Sequence, residues 1–208
     1  MNRAKPRKPA KKGVRHPLLL YRRTMDRVGE YTLILGIFLG VAGGWPLLKE
    51  TFIWGFNSNV WLLGIALLSF AISLFAYLTR LVAYVQVAES TLNVITPFIR
   101  MKISYRRIQS FHPVLVQQIF PSEELSWATR SYLSAFNGKT ALLVELRGYP
   151  INPAILHIFW SAQMFSPQST GLVLLVSDWM KLSTELDSFY GSWMQAQGPR
   201  NKPGQPRR

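Results

Sequence analysis

The chain has 208 residues, no cysteine, three histidines and a formal net charge of +14. Without cysteine it holds no disulfide and no thiolate nucleophile or ligand. Residues 1–27 hold ten Lys or Arg and one Asp (+9) and residues 196–208 hold four Lys or Arg (+4), which leaves +1 for the other 168 residues. A nucleic-acid-binding domain gathers Lys and Arg on one folded face, so nucleic acid is not an expected partner.

The two tails are basic and rich in proline, with few residues to bury. Such segments cannot offset the entropy lost on ordering, so the sequence predicts disorder for residues 1–27 and 196–208. Lys and Arg next to a membrane gain about 1 kcal/mol each near anionic lipid. The N-terminal tail is therefore predicted to lie along the inner leaflet as an electrostatic clamp that helps to fix the topology. The rival is contact with nucleic acid or the ribosome, and the plainer alternative is a tail that only sets the membrane topology.

Two apolar stretches follow the N-terminal tail. The first is Tyr31–Leu48, and the second begins near Val60 and ends in the low eighties. About 20 helical residues, each rising 1.5 Å, cross a hydrocarbon core of about 30 Å. Residues 28–83 are therefore predicted to form a transmembrane hairpin. Several basic residues flank the hairpin at both of its ends, whereas its connecting loop holds one Lys and one Glu. This bias predicts cytoplasmic termini by the positive-inside rule.

Small residues recur at four-residue spacing in both apolar stretches. This spacing lets two helix backbones approach closely. It is explained either by packing within the hairpin or by homodimerisation through the glycine ridge. The residues are Gly36, Gly40 and Gly44 in the first helix and Ser69 and Ser73 in the second.

From Tyr84 the apolar pattern has a period of two, which predicts strands over Tyr84–Ala88 and Thr91–Thr96. The segment Ile99–Arg106 alternates apolar and polar residues, as an antiparallel strand with one buried face does. Ile108 and Phe111 are predicted to plug the core. Further strands are predicted over Thr140–Arg147, Ala154–Trp160 and Gly171–Val176.

The last predicted element is an amphipathic helix. Ser177 or Asp178 is a suitable N-cap, and apolar residues such as Leu182 and Leu186 recur at three- and four-residue steps. A helix of this kind after antiparallel strands favours a small barrel or sandwich that its final helix closes. Residues 84–195 are therefore predicted to form one domain.

The order of these elements resembles that of bacterial pleckstrin-homology-like (PH-like) membrane proteins. The segments that carry the resemblance are Thr91–Phe111 (TLNVITPFIRMKISYRRIQSF) and Gly171–Tyr190 (GLVLLVSDWMKLSTELDSFY). The resemblance covers about residues 30–195. It implies an α+β membrane protein of the bacterial cell membrane, in which a two-helix transmembrane hairpin precedes a PH-like antiparallel barrel or sandwich closed by a C-terminal amphipathic helix. It implies no assigned activity.

Four basic residues near the predicted membrane exit are the candidate contact for an anionic partner or lipid. They are Arg100, Lys102, Arg106 and Arg107. The alternation predicts that the first three share the outer face of one strand. The plainer explanation is a solvated strand face together with the positive-inside bias. Phosphoinositide-binding PH domains place basic residues in and beside the first strand-to-strand loop, and here that loop is predicted at residues 89–91, which are not basic.

The three histidines stand far apart, and no phosphate-binding glycine loop or nucleophile elbow is present. The sequence therefore predicts no enzyme, no cofactor and no metal site. The leading interpretation is a membrane-anchored cytoplasmic PH-like binding or scaffold module. The alternative is a structural subunit of an oligomeric membrane complex that assembles through the hairpin. The expected partners are the bilayer and either a protein or a second copy of the chain.

Overall fold

The structure is a computed structural model that describes residues 12–48 and 56–197. The chain divides into two compact units. The hairpin unit is Leu19–Ala83, and the sheet unit combines the residues up to Leu18 with those from Tyr84 onward. The sheet unit is therefore built from two separate stretches of sequence, with the hairpin unit inserted between them.

The hairpin unit consists of α1 (Leu19–Leu48) and α2 (Phe56–Thr79). Both helices are long and apolar enough to cross a membrane, which confirms the two predicted apolar helices. The predicted start near residue 28 is wrong, because α1 begins nine residues earlier. The sequence interpretation placed the start of the helix close to the point where the apolar residues begin. Arg, Met and Leu are good helix formers, so the helix continues through the charged segment after Pro17.

Disorder was predicted through residue 27, and this prediction is wrong for residues 12–27. Lys12–Pro17 forms strand β1, which pairs antiparallel with β2 (Tyr84–Ala88). An edge strand gains its hydrogen bonds from one neighbour and tolerates charge on its open side, so a basic segment fits this position. Residues 1–11 and 198–208 of the predicted tails lie outside the described residues.

All strand pairs among the described residues of the sheet unit are antiparallel. The described strands form one open sheet in the order β1-β2-β3-β4 and another in the order β5-β6-β7. The two sheets share no strand ladder, so the structure does not support a closed barrel. The remaining strands are β3 (Thr91–Ile95), β4 (Arg100–Ser104), β5 (Ile108–Leu115), β6 (Thr140–Leu146) and β7 (Gly171–Leu174).

One predicted strand, Ala154–Trp160, is wrong, because Pro153–Phe159 is a helix. Asn152 caps this helix by accepting a hydrogen bond from the Ala154 N–H at 3.0 Å. Proline at the first helical position has no N–H to lose, so an Asn-Pro pair is a helix-start signal. The helices of the sheet unit are α3 (Val116–Ile119), α4 (Trp127–Leu133), α5 (Pro153–Phe159) and α6 (Trp179–Gln197).

The C-terminal helix α6 was predicted correctly. Asp178 caps it, since its carboxylate accepts a hydrogen bond from the Lys181 N–H at 2.9 Å. Leu182 and Leu186 are fully buried, and α6 contacts β2 of one sheet and β5 and β6 of the other. The helix therefore closes the core over both sheets, although it extends to Gln197, beyond the predicted domain end at residue 195.

Candidate anion-binding face

The outer face of β4 carries two of the four predicted cations. Arg100 and Lys102 are exposed, whereas Met101 and Ile103 between and beside them are buried. This is the alternation that the sequence predicted. The prediction that Arg106 shares this strand face is wrong, because β4 ends at residue 104 and the chain then enters a 3₁₀ turn.

A row of polar residues crosses all four strands of the first sheet. Arg15 pairs with Gln86, Gln86 pairs with Asn93, and Asn93 pairs with Lys102. Residues directly opposite one another in an antiparallel sheet share a face. The row therefore places a cation on each edge of the sheet and two amides between them. Together with Arg100, these residues are called the basic face.

Three residues of the basic face have partners within the sheet unit, and one of them is Asn93, whose Oδ1 accepts from the Thr91 hydroxyl at 3.3 Å. The Arg15 guanidinium lies over the Tyr84 ring, 4.9 Å from its centroid, and the Gln86 amide donates to the Gly13 carbonyl at 2.8 Å. Within the described residues no carboxylate forms an ion pair with Arg100 or Lys102. Strands lie about 4.8 Å apart, so the backbones of Arg15 and Lys102 are separated by about 14 Å. The face suits an extended anionic surface or segment rather than one enclosed phosphate.

The 3₁₀ turn Tyr105–Arg107 holds the other two predicted cations. Arg107 donates from Nη1 to the Tyr149 carbonyl at 3.1 Å, and its own carbonyl accepts from the Arg147 N–H at 2.8 Å. Arg107 thus joins this turn to the segment after β6. Arg106 is exposed beside it. Neither residue belongs to the cross-strand row of the basic face.

Arg15 is the cation of the basic face that sequence analysis missed, since it lay in the predicted disordered tail; the amides Gln86 and Asn93 were also not among the predicted site residues. Its position depends on Glu185 of α6, whose Oε2 accepts a hydrogen bond from the Val14 N–H at 3.1 Å and lies 3.4 Å from His16 Nε2. The strand bulges between Lys12 and Arg15. A Cβ at Gly13 would lie 2.5 Å from the same carboxylate oxygen. Glycine at the bulge therefore makes room for the carboxylate that holds β1 in register.

The predicted glycine ridge of the hairpin unit is only partly in contact with α2. A Cβ at Gly36 would lie 3.4 Å from Phe70 and from the Ala66 carbonyl, and one at Gly40 would lie 3.9 Å from the Ala66 Cβ. A Cβ at Gly44 would have no neighbour within 4 Å. An apolar groove of about 390 Å³ runs along the ridge and is lined by Gly36, Ile37, Gly40, Val41, Gly44, Trp45 and Phe70.

The glycines of α1 that contact α2 most tightly follow a different spacing. A Cβ at Gly43 would be 3.1 Å from the Leu62 side chain, and Ser73 donates across the hairpin to the Gly29 carbonyl at 2.9 Å. Gly29, Gly36 and Gly43 are seven residues apart, which is the repeat of helices that pack with a left-handed supercoil. Ser69 is buried but donates to Ile65 of its own helix. A search for seven-residue spacing, rather than four, finds this ridge in the sequence.

Charged residues close one end of the hairpin unit. Arg80 Nη1 donates to Asp26 Oδ1 at 2.7 Å, and the guanidinium lies over the Tyr77 ring, 4.0 Å from its centroid. The hydrogen bond to the carboxylate raises the pKa of Arg80 above its ordinary value. This pair marks the level at which both helices leave their apolar segments.

The sheet unit also holds a cleft of about 460 Å³ beside α3 and α4. Arg130 lines it and donates to the Ser122 carbonyl at 2.7 Å. The cleft involves none of the residues of the basic face. Within the described residues no group of three or more His, Asp or Glu side chains is arranged to hold a metal ion.

Comparison of the chain with protein-family models, with curated proteins and with solved structures found no significant match.

Proposed function

We propose that this protein is a membrane-anchored, non-enzymatic binding module of the PH-like kind, whose basic face binds an anionic partner at the cytoplasmic side of a bacterial membrane. The observation that carries the proposal is the cross-strand row from Arg15 to Lys102. Cations gathered on one open face without carboxylates attract an anionic partner and steer its approach.

The hairpin unit supports the membrane anchor. In the most apolar segments of α1 and α2, only 11% and 17% of the residues are buried within the protein. Leu67, for example, is 72% exposed in α2. Side chains of this kind around a helix require an apolar surrounding, which a bilayer supplies.

The PH-like assignment is supported by the order of antiparallel strands followed by a closing helix. The position of β1 changes how the strand-to-strand loops are compared. Because β1 precedes the hairpin, the first strand-to-strand connection is the hairpin unit itself, and the turn at residues 89–91 is the second. The lack of basic residues in that turn is therefore not a departure from the pattern of ligand-binding PH domains.

The proposal is tested with a photo-crosslinking amino acid at Asn93, in the middle of the basic face, in the full chain inside cells. We expect a crosslink to another macromolecule that Lys102→Glu abolishes. Lys181→Glu is the matched control, because Lys181 is an exposed lysine on α6, outside the basic face. Equal crosslinking in both variants would contradict a role for the basic face.

The alternative function is assembly of an oligomer through the hairpin. The open groove beside Gly44 favours it, because a helix from a second subunit fits an apolar groove floored by glycine. A crosslinker at Val41, on this groove, distinguishes the two functions. An adduct between identical chains at position 41, with none at position 93, would replace the binding-module proposal with the assembly proposal.

A further inference from the structure

The sheet unit exposes an apolar patch where α5 meets the turn between β3 and β4. The exposed fractions are 49% for Phe98, 45% for Ile155, 75% for Ile158 and 40% for Phe159. These four residues are called the apolar patch. Contiguous apolar residues on an otherwise polar surface mark a contact with a protein or a membrane.

The apolar patch is held rigidly. The Phe98 and Phe159 rings stack with their centroids 5.4 Å apart. Trp160, directly after α5, donates from its indole N–H to the Thr96 hydroxyl at 3.2 Å, and both residues are buried. Leu156, on the opposite side of α5, is fully buried. The helix and the turn are thus fixed to each other with their apolar side chains directed outward.

The two segments that build the patch contain no acidic residue. Residues 95–112 and 147–168 include five Lys or Arg and no Asp or Glu. A surface that combines exposed aromatic and aliphatic residues with cations matches the interface of an anionic bilayer, where aromatic rings and basic side chains both gain free energy. Of the five cations, Arg100 pairs with Ile95 and therefore lies at the sheet end that carries the patch, and Lys102 follows it on the same strand face. The other three, Arg106, Arg107 and Arg147, lie beyond the other end of β4.

The covalent chain joins the hairpin to the end of the sheet that carries the apolar patch. Tyr84 pairs with both Pro17 and Ile95, so the turn that carries Phe98 lies at the sheet end from which the chain enters and leaves the hairpin. Four residues, 80–83, join the ion-paired end of α2 to Tyr84, and four extended residues span at most about 14 Å. Phe98 follows Ile95 by only three residues. The tether therefore limits how far the patch is from the membrane surface.

We propose that the apolar patch inserts into the headgroup region of the same bilayer that holds the hairpin, with Arg100, at the same end of the sheet, on an anionic lipid phosphate. This inference rests on the proposed membrane anchor, and it assigns lipid phosphate as the anionic partner of Arg100, at the edge of the basic face. The bilayer is favoured over a protein partner because of the short tether and the absence of carboxylates in both segments. A second contact with the membrane fixes the orientation of the sheet unit.

The test uses the full chain in nanodiscs that contain anionic lipid. Because the chain has no cysteine, a spin label is attached at Ile158→Cys, and its relaxation by oxygen, which partitions into lipid, is compared with relaxation by a water-soluble nickel complex. Met194→Cys is the matched control. Met194 is 53% exposed, and it follows Trp193, which contacts Tyr105 at the opposite end of the first sheet. Leu67→Cys in α2 is the control for a lipid-exposed site.

We expect the label at position 158 to resemble the label at 67 in its preference for oxygen, and the label at 194 to respond mainly to nickel. A nickel response at 158 equal to that at 194 would overturn the inference while leaving the anchor in place. Shielding from both reagents would also overturn it, since the patch is then covered by protein. A nickel response at 67 would remove the membrane anchor and this inference together.

Discussion

The hairpin unit and the sheet unit are both rich in leucine, but they place it in opposite environments. Leu186 of α6 is fully buried in the core of the sheet unit, whereas Leu67 of α2 is 72% exposed. In the sheet unit, β7 buries all four of its residues. The difference shows that the sheet unit carries its own core. The hairpin unit instead leaves most of its apolar side chains exposed.

The largest expected effect is on stability, and it should differ between the buried Leu186 and the exposed Leu67. Leu186→Ala should lower the free energy of unfolding by about 2–5 kcal/mol, because it removes buried methyl groups and leaves a cavity. Leu67→Ala should change it by less than about 0.5 kcal/mol, because lipid fills the space left by the side chain. Denaturant unfolding of the full chain in nanodiscs measures both. Similar losses for the two variants would show that α2 is packed against protein rather than lipid.

A smaller effect concerns the strand that precedes the hairpin. Glu185→Gln replaces the carboxylate that accepts from the Val14 N–H and contacts His16. We expect the free energy of unfolding to fall by about 1 kcal/mol. Hydrogen bonds to charged groups are among the stronger ones, but this one is partly exposed. Amide hydrogen exchange at residues 12–17 should become faster, while exchange in β6 stays unchanged.

Asp187→Asn is the matched control for this change. Asp187 is an exposed acid on the same helix, and its replacement should leave exchange in β1 unaffected. If both variants accelerate exchange equally, the net charge of α6 rather than the contact with β1 is responsible.

The elements that the sequence predicted correctly are those whose pattern of apolar residues is visible within one short stretch of the chain. The apolar stretch of α2, the alternation of β4 and the apolar stripe of α6 each follow from residues close together in the chain. Strand β1 has no such signal, because its partner Tyr84–Ala88 is about 70 residues away and its exposed side is basic. Composition indicated a tail, and a tertiary contact overrode it.

Two of the three cations of the basic face were predicted for the same reason. Arg100 and Lys102 lie on a strand whose alternation is visible in the sequence. Arg15 joins them only through the register of three neighbouring strands, which no local pattern encodes. Arg106 was misplaced because β4 ends at Ser104, where the chain turns away before the charged run is complete.

The central claim is that the basic segment before the hairpin is the edge strand of the sheet that follows it. The direct test places cysteines at Arg15 and Gln86 in the cysteine-free full chain and oxidises the protein in its membrane. Opposite residues of an antiparallel pair have Cα atoms about 4.5–5.5 Å apart, which a disulfide bridges. Mass spectrometry should find the disulfide-linked peptides, and the pair Arg15→Cys with Lys102→Cys, three strands apart, should give none. Absence of the 15–86 disulfide, or equal yields for both pairs, would contradict the inserted-hairpin fold.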